Sequence, residues 1–204
     1  MADKPILFSA PMVRALLDGT KTQTRRVIKN APGDGWHMDR VGPTGFQWTC
    51  EGGMPRMSYR PPVAVGDRLY VRERFRPHGL GTPISECRDL DDIMFHADAD
   101  EAEGAVLDWK PSIHMPRWAS RLTLTITDVR VQKLHAISEG DAVAEGMGWA
   151  AFKAGEAKGN CPISSFRILW NAINGPGAWD ANPWVCAYTF TVQRGNIDQL
   201  GAAA

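Results

Sequence analysis

Residues 9–28, SAPMVRALLDGTKTQTRRVI, constrain the fold of this chain more than any other stretch. Ser9 is suited to cap a helix, and Pro11 is tolerated in a first turn whose amides lack partners anyway. Met12, Val13, Leu16 and Leu17 recur at helical spacing, which predicts one apolar face. Asp18 and Gly19 end the helix, because glycine accepts the left-handed conformation of a helix C-terminus without penalty. Thr20, Lys21, Thr22, Gln23, Thr24, Arg25 and Arg26 then set three cations among hydroxyls and run into Val27 and Ile28, a strand-like ending. A helix passing through a glycine turn into a cationic strand is a place to hold a polar or anionic ligand. It is also the composition of an ordinary solvated strand edge, where lysine blocks edge pairing, and composition alone favours that reading.

The rest of the chain predicts short strands with a few helices between them. Residues 5–8 read as a strand. Residues 31–62, rich in glycine and proline, read as a long excursion with one hairpin, a strand falling over residues 45–50. Val65, Gly66 and Asp67 signal a turn before the alternating strand at residues 68–73. A short strand is expected at residues 93–97. The segment 109–118 lies around Pro111 and Pro116 and is predicted to be a rigid loop. Residues 121–131 alternate well, with a phase break between Ile126 and Val129 that suggests a bulge. Ser138 with Asp141 three residues on predicts a capped helix ended by Gly146. Ser164 or Ser165 is expected to cap a second helix whose buried stripe is Phe166, Leu169, Trp170 and Ile173, stopped at Gly175. A closing strand spans residues 183–192. The expectation is an α+β domain on a small mixed β-barrel with flanking helices, covering residues 1–194, with excursions at 31–62 and 77–108 and a frayed tail at 195–204.

At 204 residues the chain can bury a core without cross-links. Lys+Arg and Asp+Glu are equal at 23 each, so overall charge does not advertise nucleic-acid binding; the cations nevertheless concentrate in the first thirty residues and the carboxylates between 86 and 108. The four cysteines form no CxxC pair, which points to free thiols and to neither zinc nor a disulfide framework. The apolar run Ile6-Leu7-Phe8 is too short for a signal peptide, and no apolar stretch approaches bilayer length. A cytoplasmic protein without membrane association is expected, and the sequence leaves its oligomeric state open.

Two features stand out chemically. A threonine hydroxyl becomes a nucleophile when a base takes its proton, and a lysine whose pKa falls through desolvation can be that base; Lys21 and Thr24 are such a pair. They would point to opposite faces of an extended segment, so they meet only if the chain rotates between them. Glu145 falls in the last turn of the Ser138 helix, where the macrodipole disfavours a carboxylate. A broken local rule flags function, although a surface glutamate on a short helix is common.

These residues resemble a known family. GTKTQTRR, followed by VGDRLYVRE and ISEGDAVAEGM, is similar to the ASCH domain, a branch of the PUA-like barrels. Its Gly-x-Lys-x-x-[Thr/Glu]-x-Arg pattern falls on Gly19, Lys21, Thr24 and Arg26. Blocks near 6–30, 63–75, 119–147 and 183–193 match small ASCH proteins. The loop WKPSIHMPRWASR and the ending LW-x-x-ING…WDANPWV resemble phage and prophage ASCH proteins nearly end to end, which would place the chain in a host cytoplasm. The resemblance implies a cleft for RNA, a nucleotide or a modified nucleoside, and no cofactor or metal. It also implies an alternative. One small bacterial ASCH enzyme deacetylates N(4)-acetylcytidine with a lysine, a threonine and a glutamate, which correspond to Lys21, Thr24 and Glu145. These three are expected to converge. Arg26, Arg72, Glu73, His114 and Trp118 are candidate ligand-binding residues, with Trp109 a further stacking candidate and Arg74 beside Glu73. Each has an ordinary alternative: tryptophans beside a barrel are mostly core, His114 between prolines is equally structural, and Arg72 to Arg74 can be a strand's polar face. A ribonuclease using His114 and Arg26 is a third reading.

Overall fold

In a computed structural model the chain is described at residues 3–50, 52, 56–79, 81–100, 104, 107–147 and 161–201. The expected α+β class holds. Ten strands and three helices of more than one turn are formed among these residues, and five of the strands share one mixed sheet in the order β1-β6-β9-β10-β2. Among the described residues β1 and β2 are its edges, so the sheet is open rather than closed.

The chain divides into two compact units. The first comprises Met1–Gly19, Gly66–Thr125 and Thr191–Ala204, the second Thr20–Val65 and Ile126–Phe190. In the first, β1 (Asp3–Leu7) runs parallel to β6 (Arg68–Arg72). Helix α1 (Ala10–Leu17) follows β1 and buries Met12, Val13 and Leu16, the apolar spacing read above. Gly19 at φ 70° ends it, a conformation with little steric cost only for glycine. Strands β7 (Phe75–Pro77) and β8 (Ile93–Phe95) pair antiparallel over a cluster of Phe75, Ile93, Phe95, Met115 and Ala119. The proline-flanked loop folds as two single 3₁₀ turns, Ser112–His114 and Arg117–Ala119. Its Trp109 is buried edge-on against His96, with ring centroids 5.0 Å apart. Of the tail expected to fray, residues 195–200 are tied down. Ile197 is buried, and the Asn196 amide donates to the carbonyls of Arg117, Trp118 and Ser120 at 2.8–2.9 Å. One polar side chain satisfying three buried acceptors outweighs terminal fraying.

In the second unit, β2 (Gln23–Val27) pairs antiparallel with β10 (Trp184–Arg194), Thr24 opposite Tyr188 and Arg26 opposite Cys186. The glycine-rich excursion is not one hairpin but a three-stranded sheet, β3 (Trp36–Val41), β4 (Gly45–Cys50) and β5 (Arg56–Tyr59). Its glycines lie mostly at turns, and the strands between carry the alternation. Strand β9 (Leu122–Lys133) is continuous, and its buried positions change phase between Ile126 and Val129. Helix α2 (Glu139–Ala144) has the full capping box, the Ser138 hydroxyl accepting from the Asp141 amide and the Asp141 carboxylate accepting from the Ser138 amide. Helix α3 (Pro162–Asn174) begins earlier than the serines suggested, with Cys161 as N-cap and Pro162 in the first turn, where its missing N–H costs nothing. Phe166 and Trp170 join Leu134, Ile137, Ala142, Trp179 and Val185 in the core, whereas Ile173 is 60% exposed because only about one side of the helix faces that cluster. The expected polar connector, 150–162, lies outside the described residues save its last two.

Candidate active site

The site is built where β2 begins. Thr22 lies just before the strand and divides its backbone bonds: its N–H donates to Ala144 O at the end of α2 (2.8 Å), and its carbonyl accepts from Phe190 N on β10 (2.9 Å). This change of partner brings Lys21 alongside Glu145 in an isolated antiparallel bridge.

Lys21 is 1% exposed and Glu145 4%. The Lys21 amine donates to Glu145 Oε2 at 2.8 Å and to the Glu145 carbonyl at 2.9 Å. Arg25 Nη1 donates to Glu145 Oε1 at 2.9 Å and to Gln23 Oε1 at 2.8 Å. Arg25 Nη2 lies 3.0 Å from Asp141 Oδ2, an ion pair without hydrogen-bond geometry, and its guanidinium sits 5.9 Å from the Phe166 ring centroid. Arg130 Nη2 takes the other Asp141 oxygen at 2.7 Å. Glu145 is the C-cap of α2, so its carboxylate does stand at the negative end of the helix. Two buried cations offset that placement.

The electrostatics follow from burial and neighbours. Burial pushes the Lys21 amine below the ordinary lysine range; Glu145 pulls it part of the way back by charge and hydrogen bond, while Arg26 and Arg25 push it down further. Burial would raise the Asp141 carboxyl, but Arg130, Arg25, the Ser138 amide and Gln23 outweigh it and hold the group at about 2.

Side chains alternate along β2, so Thr24 and Arg26 occupy the face opposite Gln23 and Arg25. Thr24 is buried and Arg26 reaches solvent. The β10 residues on their face are Trp184, Cys186 and Tyr188. Tyr59 bonds Cys186 through its hydroxyl (3.3 Å), and Trp48 stands 5.2 Å from the Tyr59 ring and 5.9 Å from that of Trp184. Burial raises the Tyr188 and Tyr59 hydroxyls, so both stay protonated. Lys21 and Glu145 are therefore brought together; Thr24 lies three residues from Lys21 on the strand it leads into. Sequence reasoning missed Arg25, Gln23 and the tyrosines. The available signal was the two-residue spacing of Gln23 and Arg25.

Arg72, Glu73, His114 and Trp118 belong to the other unit. Arg72 donates to the Ile113 carbonyl at 3.2 Å and lies 5.4 Å from the Tyr70 ring. Glu73 is 1% exposed and held by Arg121 through two bonds of 2.9 and 3.0 Å. His114 and Trp118 are exposed, each on one of the 3₁₀ turns. Among the described residues no group of three His, Cys, Asp or Glu side chains is placed to hold a metal ion, and no helix is long and apolar enough to cross a membrane.

No family model matches the chain, and neither does any curated protein. Two solved structures are similar to it. The ASCH domain from Lactobacillus crispatus JV V101 aligns at 13% identity and TM-score 0.36, over 94% of this chain and 79% of that one. Protein EF3133 from Enterococcus faecalis V583, described as DUF984, aligns at 9% identity and TM-score 0.37, over 97% of this chain and 83% of that one.

Proposed function

We propose that the Lys21 unit binds a modified cytidine and hydrolyses an acyl group from its N(4) amine, as the ASCH resemblance of Gly19, Lys21, Thr24 and Arg26 suggests. The observation that carries this reading is the state of Lys21. A lysine that recognises phosphate presents its ammonium to solvent; Lys21 is buried and turned onto Glu145. Desolvation that lowers an amine's pKa is what makes a lysine a base near neutral pH. Two of its N–H bonds go to Glu145, and in the neutral form the amine nitrogen carries a lone pair that can accept a proton.

In this reading the change of backbone partner at Thr22 turns the chain enough for the Lys21 amine to reach Thr24, whose oxygen attacks the acyl carbon and passes its proton to that amine. The ammonium returns that proton to the departing N(4) amine as the C–N bond breaks, and water then cleaves the acyl ester to release carboxylate and free threonine. Glu145 orients the amine and balances its charge. Arg26 and the hydroxyls of Tyr188 and Tyr59 supply polar contacts on the Thr24 face, with Trp48 and Trp184 as apolar neighbours.

The test is release of acetate from N(4)-acetylcytidine, followed by chromatography of the cytidine formed. Wild-type protein should turn over, Thr24→Val should lose a factor on the order of 10² to 10⁴, and Thr24→Val with Lys21→Met should be scarcely worse than either alone. A wild-type protein that binds cytidine and releases no acetate leaves a binding module and removes the enzyme.

A further inference from the structure

The other unit contains a recess of about 560 Å³, within the range of small-molecule sites, whose lining includes Arg76, Gly79, Gly81, Thr82, Asp108 and Lys110. Arg76 is 8% exposed, yet its described hydrogen bond is from Nε to the Pro77 carbonyl at 3.3 Å. Among the described residues no carboxylate forms an ion pair with it. Glu73 and Asp98 of the same unit both pair with Arg121, which leaves Asp108 as the carboxylate in the recess lining. Buried arginines are nearly always paired, because an uncompensated buried charge is costly. A second cation, Lys110, is held beside it, since the Phe75 and Lys110 backbones exchange bonds of 2.8 and 3.3 Å. With Asp108 the charged lining carries a net +1, two cations against one carboxylate.

Part of the rim carries two glycines, Gly79 and Gly81. The Thr82 amide closes back on the Gly79 carbonyl at 3.3 Å, and a Cβ at Gly79 would run into the Thr82 hydroxyl as that side chain now stands. Gly81 has φ +76°. Position 81 therefore favours glycine by its backbone conformation, and position 79 by the room the Thr82 side chain takes.

We propose that this recess binds the phosphate group of a small molecule, with Arg76 and Lys110 taking the anion. A guanidinium offers a planar pair of donors that fits two phosphate oxygens, and the lysine adds a second charge. Asp108 accepts from a hydroxyl of the same ligand, which makes a sugar phosphate a better match than free phosphate.

The test is calorimetric titration of the full chain, in phosphate-free buffer of low salt, with inorganic phosphate and with ribose 5-phosphate. Neither probe carries a base, so the result is independent of any cytidine site. Saturable binding is expected, tighter for ribose 5-phosphate; equal affinity assigns the site to free phosphate. Arg76→Met should weaken binding on the order of 10- to 100-fold. Without ligand the same variant should melt no lower than wild type, because it removes a buried cation that has no ion pair among the described residues; a merely structural arginine would lower the melting temperature. Absence of saturable binding for both probes, or an unchanged Kd in Arg76→Met, overturns the proposal. If Arg76→Met does not fold, Lys110→Gln at its half-buried position carries the test, and a Kd within twofold of wild type overturns it.

Discussion

Each unit buries a glutamate, and the two are held in different ways. Glu73 meets a guanidinium: Arg121 closes on both its oxygens, reaches Asp98 through its other face and lies 4.1 Å over the Phe95 ring. Burial raises the Glu73 carboxyl, with Arg121 pulling it down and Asp98 adding to the rise. Glu145 instead divides its oxygens between an arginine and a lysine. An arginine cannot give up its proton in a protein, whereas a buried lysine can. The first arrangement has a cation whose charge is fixed. The second has one member able to change charge. Glu73, read from the sequence as a candidate ligand contact, has both oxygens taken by Arg121, whereas Glu145 shares a buried pair with a lysine.

The comparison breaks most visibly at the cations. Arg121→Met leaves a carboxylate buried with no partner and should destabilise by about 3–5 kcal/mol in urea unfolding. Lys21→Met leaves Glu145 with Arg25 and removes an amine that burial disfavours, so its cost should be smaller, about 1–2 kcal/mol. If the two losses are equal, the distinction between the two glutamates is lost.

A smaller effect appears in acid. The Asp141 carboxyl is held at about 2 in the folded chain against an ordinary 3.8. A depressed folded pKa gives stability that is present above about pH 4 and lost as pH falls toward 2. Asp141→Asn should flatten this limb by on the order of 1 kcal/mol, its partly exposed side chain being screened by solvent. Glu73 has the opposite sign: its contribution is present below the ordinary glutamate pKa and lost as pH rises through its raised folded value. An acid limb identical in Asp141→Asn and wild type would show that the Arg25 and Arg130 pairs add nothing. The smallest effect is that of salt. Lys21 and Arg25 are buried, so cytidine affinity should change less than about twofold between 50 and 200 mM salt, whereas a phosphate-backbone interface loses orders of magnitude.

How much of this was legible depended on range. The capping box of Ser138 and Asp141, the stop at Gly146 and the strand at residues 45–50 are local, and local chemistry decides them. Glu145 at the wrong helix end was visible as an anomaly, but its remedy lies 124 residues away at Lys21. Arg25 looked like one of two adjacent surface arginines, because nothing nearby in the sequence says which face of β2 is buried. The start of α3 was misplaced since serines are better N-caps than cysteine, and Pro162 decided otherwise. The tail was taken to fray because termini usually do; a single asparagine, Asn196, anchors it.

The most direct measurement is a Lys21→Arg variant assayed in parallel for cytidine binding and for acetate release from N(4)-acetylcytidine. The charge is kept, the carboxylate of Glu145 still has a partner, and only the capacity to accept a proton is gone. The account predicts binding within a few-fold of wild type and hydrolysis reduced on the order of 10² or more. Hydrolysis at the wild-type rate in Lys21→Arg would contradict it, because Lys21 would then not be the base.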